Sequence, residues 1–134
     1  MSVTGSCLCG AVRYRIEGQP GPVWGCHCAQ CRKSSGHFGA ASRVDRSGIK
    51  IEGEPRWYES TPGVARRGFC PTCGSYLFWE EIGGDFFVMA GSMDETSGLS
   101  WFAHIYYAEK GDYYRCIGSV PCYAKGLSSE EMTP

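Results

Sequence analysis

The chain has no apolar run approaching the 18 or so residues of a membrane-spanning helix. It also lacks an excess of either charge. With 13 Lys and Arg against 14 Asp and Glu there is no electrostatic footprint for nucleic acid or anionic lipid, and the expected partners are small molecules or proteins. Internal repeats and low-complexity linkers are missing too. No window of eleven or more residues carries a 3.6-residue apolar stripe, so helices should be short, the first beginning around Ala29. The opening residues, MSVTGSCLCGAVRY, contain no basic segment followed by an apolar core and a small-residue cleavage site, so a reducing cytoplasm is the expected compartment.

What is present is an ordinary globular composition, 43% hydrophobic and 20% charged, on a chain long enough to bury a core without disulfides. Val12, Tyr14 and Ile16 alternate with Arg13, Arg15 and Glu17, and Ile49 and Ile51 flank Lys50, which is the period of half-buried strands. In SYLFWEEIGGDFFVMAG two aromatic-rich runs flank Gly83-Gly84, a dipeptide suited to a hairpin turn because glycine tolerates positive φ. A further strand is expected through WFAHIYY. The expected fold is mainly β: one domain over residues 1–127, followed by a tail, SSEEMTP, too polar to order itself.

Nine cysteines, an odd number in a chain expected in a reducing compartment, fit a disulfide framework poorly and metal binding well. Cys7 and Cys9, two apart, share one side of an extended backbone, with Leu8 facing away. FCPTCG supplies a second pair, Cys70 and Cys73, on a tight turn in which Pro71 fixes φ and Gly74 is free to turn left-handed. Four thiolates make a closed, tetrahedral structural zinc site, and such a site contributes roughly 10–16 kcal/mol, comparable with the stability of a whole domain. The plain alternative is four buried thiols acting as small hydrophobes.

GCHCAQCRKSSG is different, because it places Cys26, Cys28 and Cys31 within six residues and offers no fourth cysteine. A zinc with three protein ligands and an open position is the arrangement of a catalytic site. His27 sits between two residues that share a side, so it should point away. Two alternatives stand beside the open site: closure by His37 or by another distant side chain, which would make a purely structural centre, and a redox relay, which the lack of a βαβ pattern disfavours.

Taken together, GSCLCGAVRY, CHCAQCRKSSG, WYESTPG, RGFCPTCGSYLFW and HIYYAEK resemble the glutathione-dependent formaldehyde-activating enzyme family, which includes the centromere-protein-V relatives, over nearly the whole chain. The resemblance implies a β-rich, tent-like fold with two zinc sites per chain. Cys7, Cys9, Cys70 and Cys73 correspond to the structural site, and Cys26, Cys28 and Cys31 to the catalytic one. It further implies a carbon–sulfur lyase that makes or breaks S-hydroxymethylglutathione, with glutathione or a related small thiol as substrate. The reading from another class is a zinc-stabilised binding module without catalysis.

Glutathione has two carboxylates, for which Arg32 and Lys33, or Arg66 and Arg67, are candidate partners. Ser34 and Ser35 are candidate helix caps or substrate contacts. Regular strand alternation puts His104 with Phe102 and Tyr106, as a structural histidine rather than a base. Trp57 and Tyr58 are expected in the core or a pocket wall, and Phe86, Phe87, Trp101, Tyr113 and Tyr114 in the core. Cys116 and Cys122 match neither cluster and are expected as buried free thiols or a reversible disulfide.

Overall fold

The computed structural model describes residues 1–96, 98–116 and 118–134. In chain order the elements are β1 (Ser2–Ser6), β2 (Arg13–Glu17), β3 (Val23–Cys26), α1 (Ala29–Ser35), β4 (Gly39–Val44), β5 (Ile49–Glu52), β6 (Arg56–Thr61), β7 (Ala65–Phe69), β8 (Tyr76–Glu81), β9 (Phe86–Met89), β10 (Trp101–Ile105), β11 (Cys122–Tyr123) and β12 (Glu131–Met132), with three short 3-10 turns. Strand accounts for 42% of residues and helix for 12%, so the fold is mainly β as expected.

The chain forms two compact units, Met1–Gly21 with Ala41–Leu99, and Pro22–Ala40 with Ser100–Pro134. Each is assembled from two separated stretches, so no linker divides them along the chain. That is why composition reads as one domain.

The first unit contains the antiparallel sheet β1-β2-β5 and the run β4-β9-β8-β7-β6. Val12, Tyr14 and Ile16 are buried while Arg13, Arg15 and Glu17 are exposed, as the alternation requires. These residues pack in one apolar cluster with Leu77, Phe78, Phe86 and Val88, and the Tyr14 ring meets Phe78 edge-on at 5.6 Å. The β8–β9 hairpin turns through Gly83 at φ +76°, and the Gly84 N–H donates to the Glu81 carbonyl at 2.8 Å. Cys7 and Cys70 belong to this cluster as well, so one thiol of each cysteine pair is buried in the core.

In the second unit β10 lies between β3 and β11, parallel to both, and β12 pairs antiparallel with β11. Residues 131–132 therefore sit in a sheet and not in a free tail. Backbone pairing with an open strand edge needs no apolar surface of its own, so a polar SSEEM segment is no bar to it. The pairing of β10 with β3 shifts register between Trp101 and Ala103. This breaks the alternation expected for WFAHIYY: His104 is buried and its ring lies 4.9 Å from Trp101, while Phe102 is exposed and packs against Trp24 at 5.0 Å. Tyr106 leaves the strand altogether at φ +53°.

Candidate metal centres

Cys7 and Cys9 do not lie on the extended backbone expected from their spacing. β1 ends at Ser6 and the chain turns: the Gly10 N–H donates to the Cys7 carbonyl at 3.2 Å, Gly10 takes φ +81°, and the Val12 N–H points at the Cys7 sulfur at 3.3 Å. The turn still carries both thiols to one side and leaves Leu8 fully exposed. Residues 70–74 form a second turn of the same kind. There Gly74 at φ +80° donates to the Cys70 carbonyl at 2.9 Å, and the Thr72 and Cys73 N–H groups face the Cys70 sulfur at 3.4 and 3.5 Å. Ser75 links the two turns, accepting from the Leu8 N–H at 3.0 Å and lying 3.2 Å from the Cys73 sulfur.

The four sulfurs converge to within 4.8 Å of one another. Four thiolates at about 2.3 Å from a tetrahedral zinc stand about 3.8 Å apart. The Cys7–Cys9 and Cys9–Cys70 separations are 3.7 and 3.8 Å, so the donor set has the size of a zinc tetrahedron. The hydroxyl and backbone N–H of Ser75 hold the Cys73 thiol down to about 5, a ready thiolate for a cation.

Cys26 ends β3, Cys28 caps the N-terminus of α1, and Cys31 lies one turn into the helix. The Cys31 N–H donates to the Cys28 sulfur at 3.3 Å, which satisfies one of the helix's unpaired donors with a thiol where a hydroxyl or carboxylate usually serves. Gly36 closes the helix at φ +84°. The three sulfurs lie within 4.8 Å of one another, and among the described residues no histidine, cysteine or carboxylate joins them at that range. Hydrogen bonds from Cys26 and then Cys31 hold the Cys28 thiol far below the ordinary range, while the contacts of Cys26 with Cys28 and Cys31, and its burial, push Cys26 far above it. Three sulfurs this close cannot all ionise without a cation among them, and the donor set fits a thiophilic metal.

His37 does not close this set; its Nδ1 hydrogen-bonds to the Tyr113 hydroxyl at 2.7 Å. His27 points away from the three sulfurs, as its position demands, and is buried. Its Nδ1 meets the Tyr114 hydroxyl at 2.6 Å and its Nε2 meets the Nδ1 of His104 at 2.9 Å. Burial, reinforced by His104, pushes His27 down to about 4, and burial lowers His104 as well. The Cys116 sulfur lies 3.7 Å from the His27 Nε2. No spacing rule links these three residues, which is why the sequence reading treats each alone.

The two cationic pairs part company. Arg66 is held by Glu80 at 2.7 Å and lies over the Trp57 ring at 4.1 Å, and Arg67 is buried with a hydrogen bond to Tyr76 at 2.8 Å. Arg32 and Lys33 occupy the last turn of α1, the helix that carries Cys31, and among the described residues neither forms an ion pair. Ser34 and Ser35 donate back to helix carbonyls, to Gln30 at 2.7 Å and Cys31 at 2.7 Å, and so do not serve as the N-terminal cap. Of the aromatics expected in the core, Phe86 is there, whereas Trp101 and Tyr113 are 45% and 65% exposed. Tyr58 is exposed too.

The model of the family described as "Glutathione-dependent formaldehyde-activating enzyme" matches residues 2–109. A Halomonas elongata protein whose name assigns it to those enzymes is 34% identical over 98 residues; the match takes in 61% of this chain and 61% of that relative's length. A Schizosaccharomyces pombe protein named as a lyase is 26% identical over 113 residues, 82% of each chain. A solved structure from Rhodobacter sphaeroides superposes with a TM-score of 0.57 at 24% identity, covering 73% of this chain and 98% of that one, a likeness of fold.

Proposed function

Because the chain belongs to the glutathione-dependent formaldehyde-activating enzyme family, we propose that it is a zinc-dependent carbon–sulfur lyase that makes or breaks the bond between glutathione sulfur and formaldehyde carbon in S-hydroxymethylglutathione. The observation that carries this reading is the pairing of a four-sulfur set with a separate three-sulfur set that no fourth described side chain completes. Cys7, Cys9, Cys70 and Cys73 would hold a structural zinc, and Cys26, Cys28 and Cys31 a catalytic one. When bound there, zinc would stabilise a substrate thiolate at neutral pH and polarise an oxygen of the aldehyde or adduct.

The chain's own groups supply the rest. Cys26, Cys28 and Cys31 would leave the fourth position of a bound ion for substrate. Arg32 and Lys33 directly follow Cys31 in α1 and would meet a small substrate's carboxylates. A reducing cytoplasm, where thiols and glutathione coexist, suits such chemistry. The non-catalytic alternative needs a fourth donor at the three-sulfur set, and His37, the residue best placed for it in the sequence, is bonded to Tyr113.

The test is adduct exchange followed by NMR with glutathione and formaldehyde. Exchange faster with the wild type than with a folded Cys28→Ser variant supports the reading. Equal rates would remove this substrate.

A further inference from the structure

Outside both all-cysteine clusters, His27, His104 and Cys116 bring two imidazole nitrogens and a sulfur to within 4.8 Å of one another. Cys116 lies beyond the stretch that matches the family. The two histidines are buried, and the space for them is built: a side-chain carbon on Gly25 would collide with the Nδ1 of His104, so only glycine at that position lets the ring come so close. The His27 ring is held from several sides, stacked on Phe38 at 4.5 Å and on Tyr114 at 5.6 Å, with Tyr107 edge-on at 5.1 Å. Its Nδ1 contacts the Tyr114 hydroxyl, so the tautomer that donates a proton to that oxygen turns a bare Nε2 lone pair toward His104 and Cys116.

We propose that His27 Nε2, His104 Nδ1 and Cys116 Sγ form a three-coordinate site for copper(I). The choice of ion follows from charge and donor type. No carboxylate belongs to the cluster, which rules out calcium and magnesium chemistry, and a thiolate with two imidazoles is a donor set that copper favours. One thiolate cancels the charge of a monovalent ion completely, whereas a divalent ion would leave a net positive charge in a buried pocket. The Lys110 ammonium already stands 5.6 and 5.1 Å from the Tyr107 and Tyr114 ring centres and adds to the case against a second positive charge. Three donors also suffice for a cuprous ion, so no fourth ligand is needed. Binding exchanges one proton for the ion: Cys116 loses its thiol hydrogen to solvent, both imidazoles stay neutral, and the proton shared between the two histidines moves to an outer ring nitrogen. No electron is transferred.

The experiment uses the full chain as purified, with its metal content counted first, titrated anaerobically with one equivalent of copper(I) and examined by copper-edge X-ray absorption. The expected shell is two nitrogens and one sulfur, with no zinc released, and the same shell is absent in Cys116→Ala and in His104→Ala. A sulfur-only shell, zinc release on adding copper, or a nitrogen-containing shell that persists in either folded variant overturns the site. Should a variant unfold, the wild-type shell decides by itself. The count of metal before titration reads the zinc proposal separately, since a chain purified without zinc would sink that reading and leave this one standing or falling on the copper shell.

Discussion

The Cys9 sulfur lies 3.8 Å from that of Cys70, although 61 residues separate them in the chain. A metal at that point would close a long loop onto a buried apolar cluster that includes Cys7 and Cys70. Binding energy there is folding energy. Cys70→Ser should therefore give unfolded or insoluble protein, and Cys28→Ser folded protein that has lost one metal, as read by circular dichroism and metal analysis. In a graded chelator titration the three-sulfur site should empty first with the fold retained. Simultaneous loss of both metals and of structure would assign both sites to the fold.

Arg32 and Lys33 share the last turn of the helix that begins at the three-cysteine cluster, whereas Arg66 is engaged with Glu80 and Trp57. If the first pair holds substrate carboxylates in ground and transition states alike, Arg32→Ala with Lys33→Ala should raise KM about tenfold with kcat unchanged. Arg66→Ala should leave both constants alone. Steady-state kinetics on the glutathione adduct separates the outcomes, and an unchanged KM in the double variant would return α1's cations to solvent.

Gly25 faces the His104 ring in the middle of a parallel strand pair, so an added methyl has no free direction to move. Gly25→Ala should cost about 1–3 kcal/mol, the scale of overpacking a filled interior. The denaturation midpoint reads this directly. The matching control is Gly63→Ala: its methyl would meet nothing within 4 Å, so its cost should come from the backbone alone, at φ +75°. Equal losses would mean that His104 is not fixed where it lies.

Burial raises the Tyr14 hydroxyl to about 12, partly offset by its 2.7 Å bond with Ser92 and reinforced by Asp94. An unfolded tyrosine ionises near 10. Since the folded value is the higher one, Tyr14 supports the fold fully below about pH 10 and withdraws that support as pH rises toward 12. The loss is about 2–3 kcal/mol in all. Tyr14→Phe should sacrifice about 1 kcal/mol at neutral pH with the Ser92 bond and flatten the alkaline limb of the stability profile. Parallel alkaline limbs for the two proteins would assign the transition to other groups.

Much of this was legible in the sequence wherever a few residues settle the geometry. C-x-C and C-x-x-C spacings bring thiols together through one turn, and Gly10 and Gly74 supply the left-handed backbone that each turn needs. Period-two burial along β2, the hairpin at Gly83 and the short helix from Ala29 follow from side-chain direction and turn chemistry within a dozen residues. That a CxC pair sits on a turn and not on a strand changes the backbone but not which sulfurs meet. What only the tertiary structure decided depends on strands far apart in the chain. The parallel pairing of β10 with β3 leaves no local signature, and its register shift after Trp101 turns His104 inward against the alternation. His27, His104 and Cys116, 77 and 89 residues apart from first to second and first to third, meet only because that pairing and the glycine beside it make room. A ligand set within one turn is determined by chain stereochemistry, whereas a set drawn from segments far apart in the chain exists only once the register of the strands that carry or flank them is chosen, and register is set by the packing of the whole unit.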